Sequence, residues 1–143
     1  MTKSEDLFFD NYSLEVLPFV CRQIINGKDY TDFVKKYVSK LKKNVYEQKN
    51  NLYEQSQNID WYCINPEERK IIKKLQELRD AQLTFYCRAL YKLEQFIRKP
   101  KPVLVAVALN YCIESEKIWK RIITEMCGFV VLNLQSKGLR RIF

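Results

Sequence analysis

The sequence predicts an all-α protein, an elongated antiparallel bundle of about four helices. Three observations predict it. Glycine (3) and proline (4) are scarce among 143 residues, and a β-rich chain needs both for its many turns. Two long segments carry apolar residues at helical spacing. A Pro100/Pro102 pair stands where the longer of them has to stop, because proline removes a donor and its predecessor avoids the helical region.

Residues 1–11 read as a loose N-terminal arm, with Leu7, Phe8 and Phe9 available to dock on the body. A first helix is expected from Ser13, which can cap it. Pro18 then lies too deep for a first-turn proline, so it either kinks the helix or delays its start. Asn26-Gly27 marks a stop or a sharp bend; a helix crossing it would fuse the first two helices into one rod.

Residues 29–53 read as the second helix. Val34, Val38, Leu41, Val45 and Leu52 recur at steps of four, three, four and seven, with Phe33 and Tyr37 widening the stripe and lysines on the opposite face. Residues 54–65 read as a connection whose Trp61 and Tyr62 plug the end of the core. Asn65-Pro66-Glu67-Glu68 is a helix start, with a capping Asn, a first-position Pro and a first-turn acid at the capping-box position.

The helix starting there should run to about Ile97. Its main stripe is Ile71, Leu75, Leu78, Phe85, Ala89, Leu93 and Phe96, with Leu83, Leu90 and Ile97 as a second. Two apolar faces imply burial on two sides, inside a bundle or at an interface, and Phe85, Leu90, Leu93, Phe96 and Ile97 are the candidate interface residues. Beyond the proline elbow, residues 103–134 are very apolar and read as one or two helices. Ala106, Leu109, Ile113, Ile122 and Met126 would share a face, widened by Val105, Tyr111 and Trp119. The β-branched run Val103–Val107 leaves a strand open as an alternative, and Gly128 is a candidate break. Residues 136–143 read as a basic tail, and the whole chain, 1–143, as a single domain.

Composition excludes much chemistry. Histidine is absent, which removes the commonest general base and the commonest metal ligand together. The five cysteines form no CxxC pair, so neither a disulfide framework nor a zinc site is expected. Reduced thiols then fit a cytoplasmic protein, peripheral to membranes at most: the N-terminus lacks an apolar signal core, and the longest apolar run, Val103–Leu109, is far below the ~20 residues of a membrane span. No phosphate-binding glycine loop, GxSxG, HExxH or Cys/His pair occurs. Glu114 and Glu116 diverge on a helix, Glu67 and Glu68 suit the positive end of a helix dipole, and Cys87, beside Arg88, reads as a core residue before a lowered-pKa thiol. The expectation is a non-enzymatic protein with no cofactor, no metal and no small-molecule substrate.

Charge points to the partner. The chain carries a formal +8, concentrated in clusters, so acidic lipid surfaces, nucleic acid or acidic proteins are the partners to consider. Lys35, Lys36, Lys40, Lys42 and Lys43, with Arg98, Lys99 and Lys101, are the candidate anion-binding residues. The nine Tyr, eight Phe and two Trp fall mostly on apolar stripes, which favours packing over base stacking and makes nucleic-acid binding the lesser alternative.

Two stretches resemble a known family. LEVLPFVCRQIINGKDYTDFVKKYVSKLKK (residues 14–43) resembles the opening helix of Bin/amphiphysin/Rvs (BAR)-type domains, with its Gly-Lys step and basic stripe. KLQELRDAQLTFYCRALYKLEQFIRK (residues 74–99) resembles the late leucine-repeat segment of endophilin-like members. The resemblance implies a homodimer of long antiparallel helices whose basic face binds acidic, curved membranes through the lysines named above and the 98–101 cluster. The alternative is a helical adaptor binding another protein through its apolar helix surface, of a kind that viruses and intracellular parasites use on a host.

Overall fold

The computed structural model describes residue 14 and residues 16–137, with side chains to residue 128. The chain forms α1 (Leu17–Ile25), α2 (Thr31–Asn58), α3 (Pro66–Arg98) and α4 (Pro102–Lys137), with a 3-10 turn at Trp61–Cys63 between α2 and α3. Among the described residues there is no strand; Val103–Val107 is helical. The expected arm 1–11, the Ser13 cap and residues 138–143 of the expected tail lie outside the described residues, while residues 136 and 137 close α4 as helix.

Pro18 settles where α1 begins. It lies in the first turn, where a missing N–H costs no hydrogen bond, so the start is delayed to Leu17 and no kink is needed. Gly27 ends the helix at φ 90, a conformation open to glycine, and α1 and α2 are therefore two helices and no single rod. Asp29 then accepts the Thr31 N–H (3.0 Å) and starts α2; that bond holds its carboxyl below the usual range.

α2 buries Val34, Tyr37, Val38, Leu41 and Val45, the stripe expected from spacing. It runs to Asn58, through part of the stretch read as a connection, because residues 54–58 contain neither Gly nor Pro to stop it. The end of the core is not plugged as expected. Tyr62 is 97% exposed, and Trp61, half-buried, lies under the Lys73 ammonium at 5.3 Å.

The start of α3 is as read. Asn65 Oδ1 accepts the Glu67 N–H at 2.8 Å and Pro66 occupies the first turn. Asn65→Ala should lower stability by about 1 kcal/mol in urea unfolding, and Asn65→Gly by only a few tenths. The helix buries Leu78, Gln82, Leu83, Tyr86, Ala89, Leu90, Leu93 and Phe96, while Ile71, Leu75, Phe85 and Ile97 are half-buried.

α4 resolves one open alternative and corrects one expectation. It is one helix, with Gly128 inside it, and its buried face is Val105, Ala108, Cys112, Ser115, Ile118 and Ile122. Ala106 and Met126 are exposed; Leu109 and Ile113 are half-buried. The apolar run from Val103 surrounds the helix, so hydrophobicity alone gives no phase. The buried line runs through the small side chains of Ala108, Cys112 and Ser115. Ser115 is fully buried, and its hydroxyl donates to the Cys112 carbonyl at 2.8 Å.

α3 and α4 form the largest helix contact; α2 packs on α3 and α1 on α4. Both long pairs are antiparallel. Lys42 bonds Glu94 at 3.1 Å while Lys49 bonds Thr84 at 2.9 Å, and Phe85 meets Tyr111 while Lys74 meets Glu125 at 2.7 Å. The α1–α2 and α3–α4 links consequently lie at one end, the α2–α3 link at the other. The main core is at the first end, where all four helices contribute; Leu78, Ile118 and Ile122 form a separate small cluster further along.

Candidate anionic-surface interface

Antiparallel folding brings together cations that are far apart in sequence. Residues 22–43 and 88–101 build the end that carries the two links. They contain twelve cations: Arg22, Lys28, Lys35, Lys36, Lys40, Lys42, Lys43, Arg88, Lys92, Arg98, Lys99 and Lys101. Only Asp29, Asp32 and Glu94 oppose them. The remaining described segments, 44–87 and 102–137, hold ten cations and ten carboxylates. The net positive charge of the described chain thus resides at one end of a bundle roughly 50 Å long.

The eight candidate anion-binding residues all belong to that end. Lys35, Lys36, Lys40, Lys43, Arg98, Lys99 and Lys101 are exposed. Lys36 and Lys40 each lie beside the Tyr37 ring, at 5.6 and 5.9 Å. Lys42 differs: both carboxylate oxygens of Glu94 accept from it, at 3.2 and 3.1 Å, and it ties α2 to α3. Further along the same seam, Arg79 bridges Gln82 and Gln48. Spacing could not separate Lys42 from its neighbours, because its partner is 52 residues away.

The five candidate interface residues take another role. Leu90 and Leu93 are fully buried in the chain's own four-helix core and Phe96 nearly so, while Phe85 and Ile97 pack against the core clusters half-buried. Two-sided burial on α3 is met inside one chain, by α2 and α4.

A different apolar surface stays open, on the helix whose surplus apolar residues motivate the adaptor alternative. Val105, Cys112, Trp119 and Met126 follow one another at steps of seven on α4. The first two are buried; Trp119 is 46% and Met126 50% exposed, with Ile123 beside them at 44%. α1 is short and packs on α4 where Cys21 meets Cys112, so the stripe emerges uncovered further along the helix.

Among the described residues, no group of His, Cys, Asp and Glu could hold a metal, and no helix is long and apolar enough to cross a membrane. The void among Leu17, Val34, Leu41 and Leu93 is about 10 Å³, too tight for a ligand. An open cleft between α2 and α3 is lined by Lys49, Trp61, Lys73, Glu77 and Asp80, with charges of both signs.

The thiols are equally ordinary. Burial pushes the Cys87 thiol up, so the neighbouring Arg88 produces no activated nucleophile. Cys21 and Cys112 are fully buried and hydrogen-bonded to each other, which lowers Cys21 and raises Cys112. Exposed Cys63 donates to Asp60 Oδ2 at 3.1 Å, and that carboxylate raises its pKa by favouring the protonated thiol. Alkylation of native protein near neutral pH should therefore reach Cys63 and Cys127 but spare Cys21 and Cys112. Asp60→Asn should speed Cys63 labelling by moving its titration down in pH; an unchanged rate would show that the carboxylate does not control the thiol.

No family model, curated protein or solved structure matches the chain.

Proposed function

We propose that the protein is a non-enzymatic helical binding protein that associates with anionic membrane surfaces through its basic end. The segregation of charge carries this reading: twelve cations face three carboxylates at one end, and the other end is balanced. A solvating role for lysine would leave cations and carboxylates in balance throughout, as they are in residues 44–87 and 102–137. The resemblance to BAR-type domains favours the same class of partner, and each near-surface Lys or Arg contributes on the order of 1 kcal/mol toward an acidic leaflet.

Co-sedimentation tests it. Phosphatidylserine-containing vesicles should retain the protein, pure phosphatidylcholine vesicles should not, and added salt should release it. Indifference to vesicle charge would sink the reading. Tighter, steeply salt-dependent retention on RNA or DNA would replace it with nucleic-acid binding.

The Trp119–Ile123–Met126 stripe supports a second reading, an adaptor that receives an apolar helix from a partner protein or a second copy. Light scattering after size exclusion should then show Trp119→Lys shifting a dimer to monomer or abolishing capture of the partner. A wild-type protein that remains monomeric and leaves ANS dark would remove the basis for it.

A further inference from the structure

We infer that the protein stands end-on against an anionic lipid bilayer, with Ile25 and Val103, at the tips of its two adjacent links, seated in the interfacial layer. The inference rests on the membrane reading and adds an orientation and a contact surface to it.

The short link between α1 and α2 and the elbow between α3 and α4 lie at the same end of the bundle, as the antiparallel pairing of α2 with α3 requires. Each presents one large apolar side chain to water: Ile25 is 50% exposed and Val103 61%. Cations flank both. Lys28 follows Ile25, and Arg98, Lys99 and Lys101 precede Val103. Exposed apolar groups inside a cationic rim match a bilayer edge, where anionic headgroups overlie acyl chains. A nucleic-acid backbone offers the charge without the apolar layer beneath it.

Part of the backbone of the two links is suited to leaving water. The N–H groups of Asn26, Gly27 and Lys28 bond to the carbonyls of Arg22, Ile24 and Gln23, Lys99 bonds to Gln95, and Leu104 to Lys101. Pro100 and Pro102 have no N–H at all. Donors already paired do not carry the desolvation penalty that loops usually pay at a membrane. With no helix among the described residues long and apolar enough to span, the contact stays at interfacial depth, and the charge-balanced end points into solvent.

Brominated-lipid quenching distinguishes end-on from side-on docking. Trp61 and Trp119 both belong to the charge-balanced part of the bundle, so the wild-type protein bound to phosphatidylserine vesicles should keep its fluorescence. A Trp61→Phe/Trp119→Phe protein carrying Val103→Trp should shift to the blue and be quenched by bromines on the acyl chains. The Ile25→Ser/Val103→Ser protein, with unchanged circular dichroism, should bind the same vesicles about tenfold more weakly and let go at lower salt. Bound protein in which the Val103→Trp reporter is unquenched, or in which the native tryptophans are quenched, overturns the end-on orientation and leaves the membrane reading intact. Failure of the wild-type protein to bind the vesicles overturns both.

Discussion

Replacing Lys35, Lys43, Arg98, Lys99 and Lys101 together by alanine is expected to weaken binding to phosphatidylserine vesicles by roughly several thousandfold. The figure follows from about 1 kcal/mol for each cation held within a screening length of an acidic leaflet. All five side chains are exposed at the end where the described charge is concentrated. Their loss should change folding stability by less than about 0.5 kcal/mol, since solvated charges contribute little to the fold. Lys42 is left out of the set because it is bonded to Glu94; its replacement would strand a half-buried carboxylate and mix stability with binding. The control is the same kind of change at the balanced end, Lys70, Lys117, Lys120 and Arg121 to alanine, also all exposed. That protein should still sediment with the vesicles. Equal losses per charge removed in the two variants would mean that net charge alone governs binding and that its placement is irrelevant.

The contrast between these variants depends on something the sequence displays only in part. The clusters at 35–43 and 98–101 are visible as runs of lysine, but their union is a product of topology, because the α2–α3 pairing that makes them neighbours is long-range. Where the chemistry is local, the sequence displays it. Asn65 and Pro66 start α3, Gly27 ends α1, the proline elbow ends α3, and Val34 to Val45 face the core. The reading failed where the deciding factor is a partner. In α4 the apolar run leaves the phase undetermined, and the buried line through Ala108, Cys112 and Ser115 depends on the helices that pack there. Trp61 and Tyr62 look like core aromatics, yet the turn that carries them projects Tyr62 into water. Exposure of Ile25 and Val103 was illegible for the same reason: an apolar residue beside a turn gives no indication of whether another helix covers it.

Leu90→Ala is expected to destabilise the protein by about 3 kcal/mol, within the 2–5 kcal/mol usual for emptying a buried leucine site. Leu90 is fully buried, on the face of α3 that faces the four-helix core, with Leu93 and Ala89 equally enclosed around it. A neighbourhood so closely packed cannot collapse into the space left behind, so both the transfer cost and the cavity cost apply. Against a total stability of ~5–15 kcal/mol the loss is large, and the melting temperature should fall by several degrees per kcal/mol. The way it falls separates two roles for this residue. A core leucine lowers the melting temperature by the same amount at every protein concentration. A leucine in a subunit interface would make the deficit depend on concentration, because unfolding would then be linked to dissociation. Trp119→Ala completes the comparison. Its side chain is nearly half exposed, so its truncation should cost about 1 kcal/mol or less. A larger loss at Trp119 than at Leu90, or a concentration-dependent one at Leu90, would mean that the apolar surface of α4 is covered in solution and that the four-helix core does not stand alone.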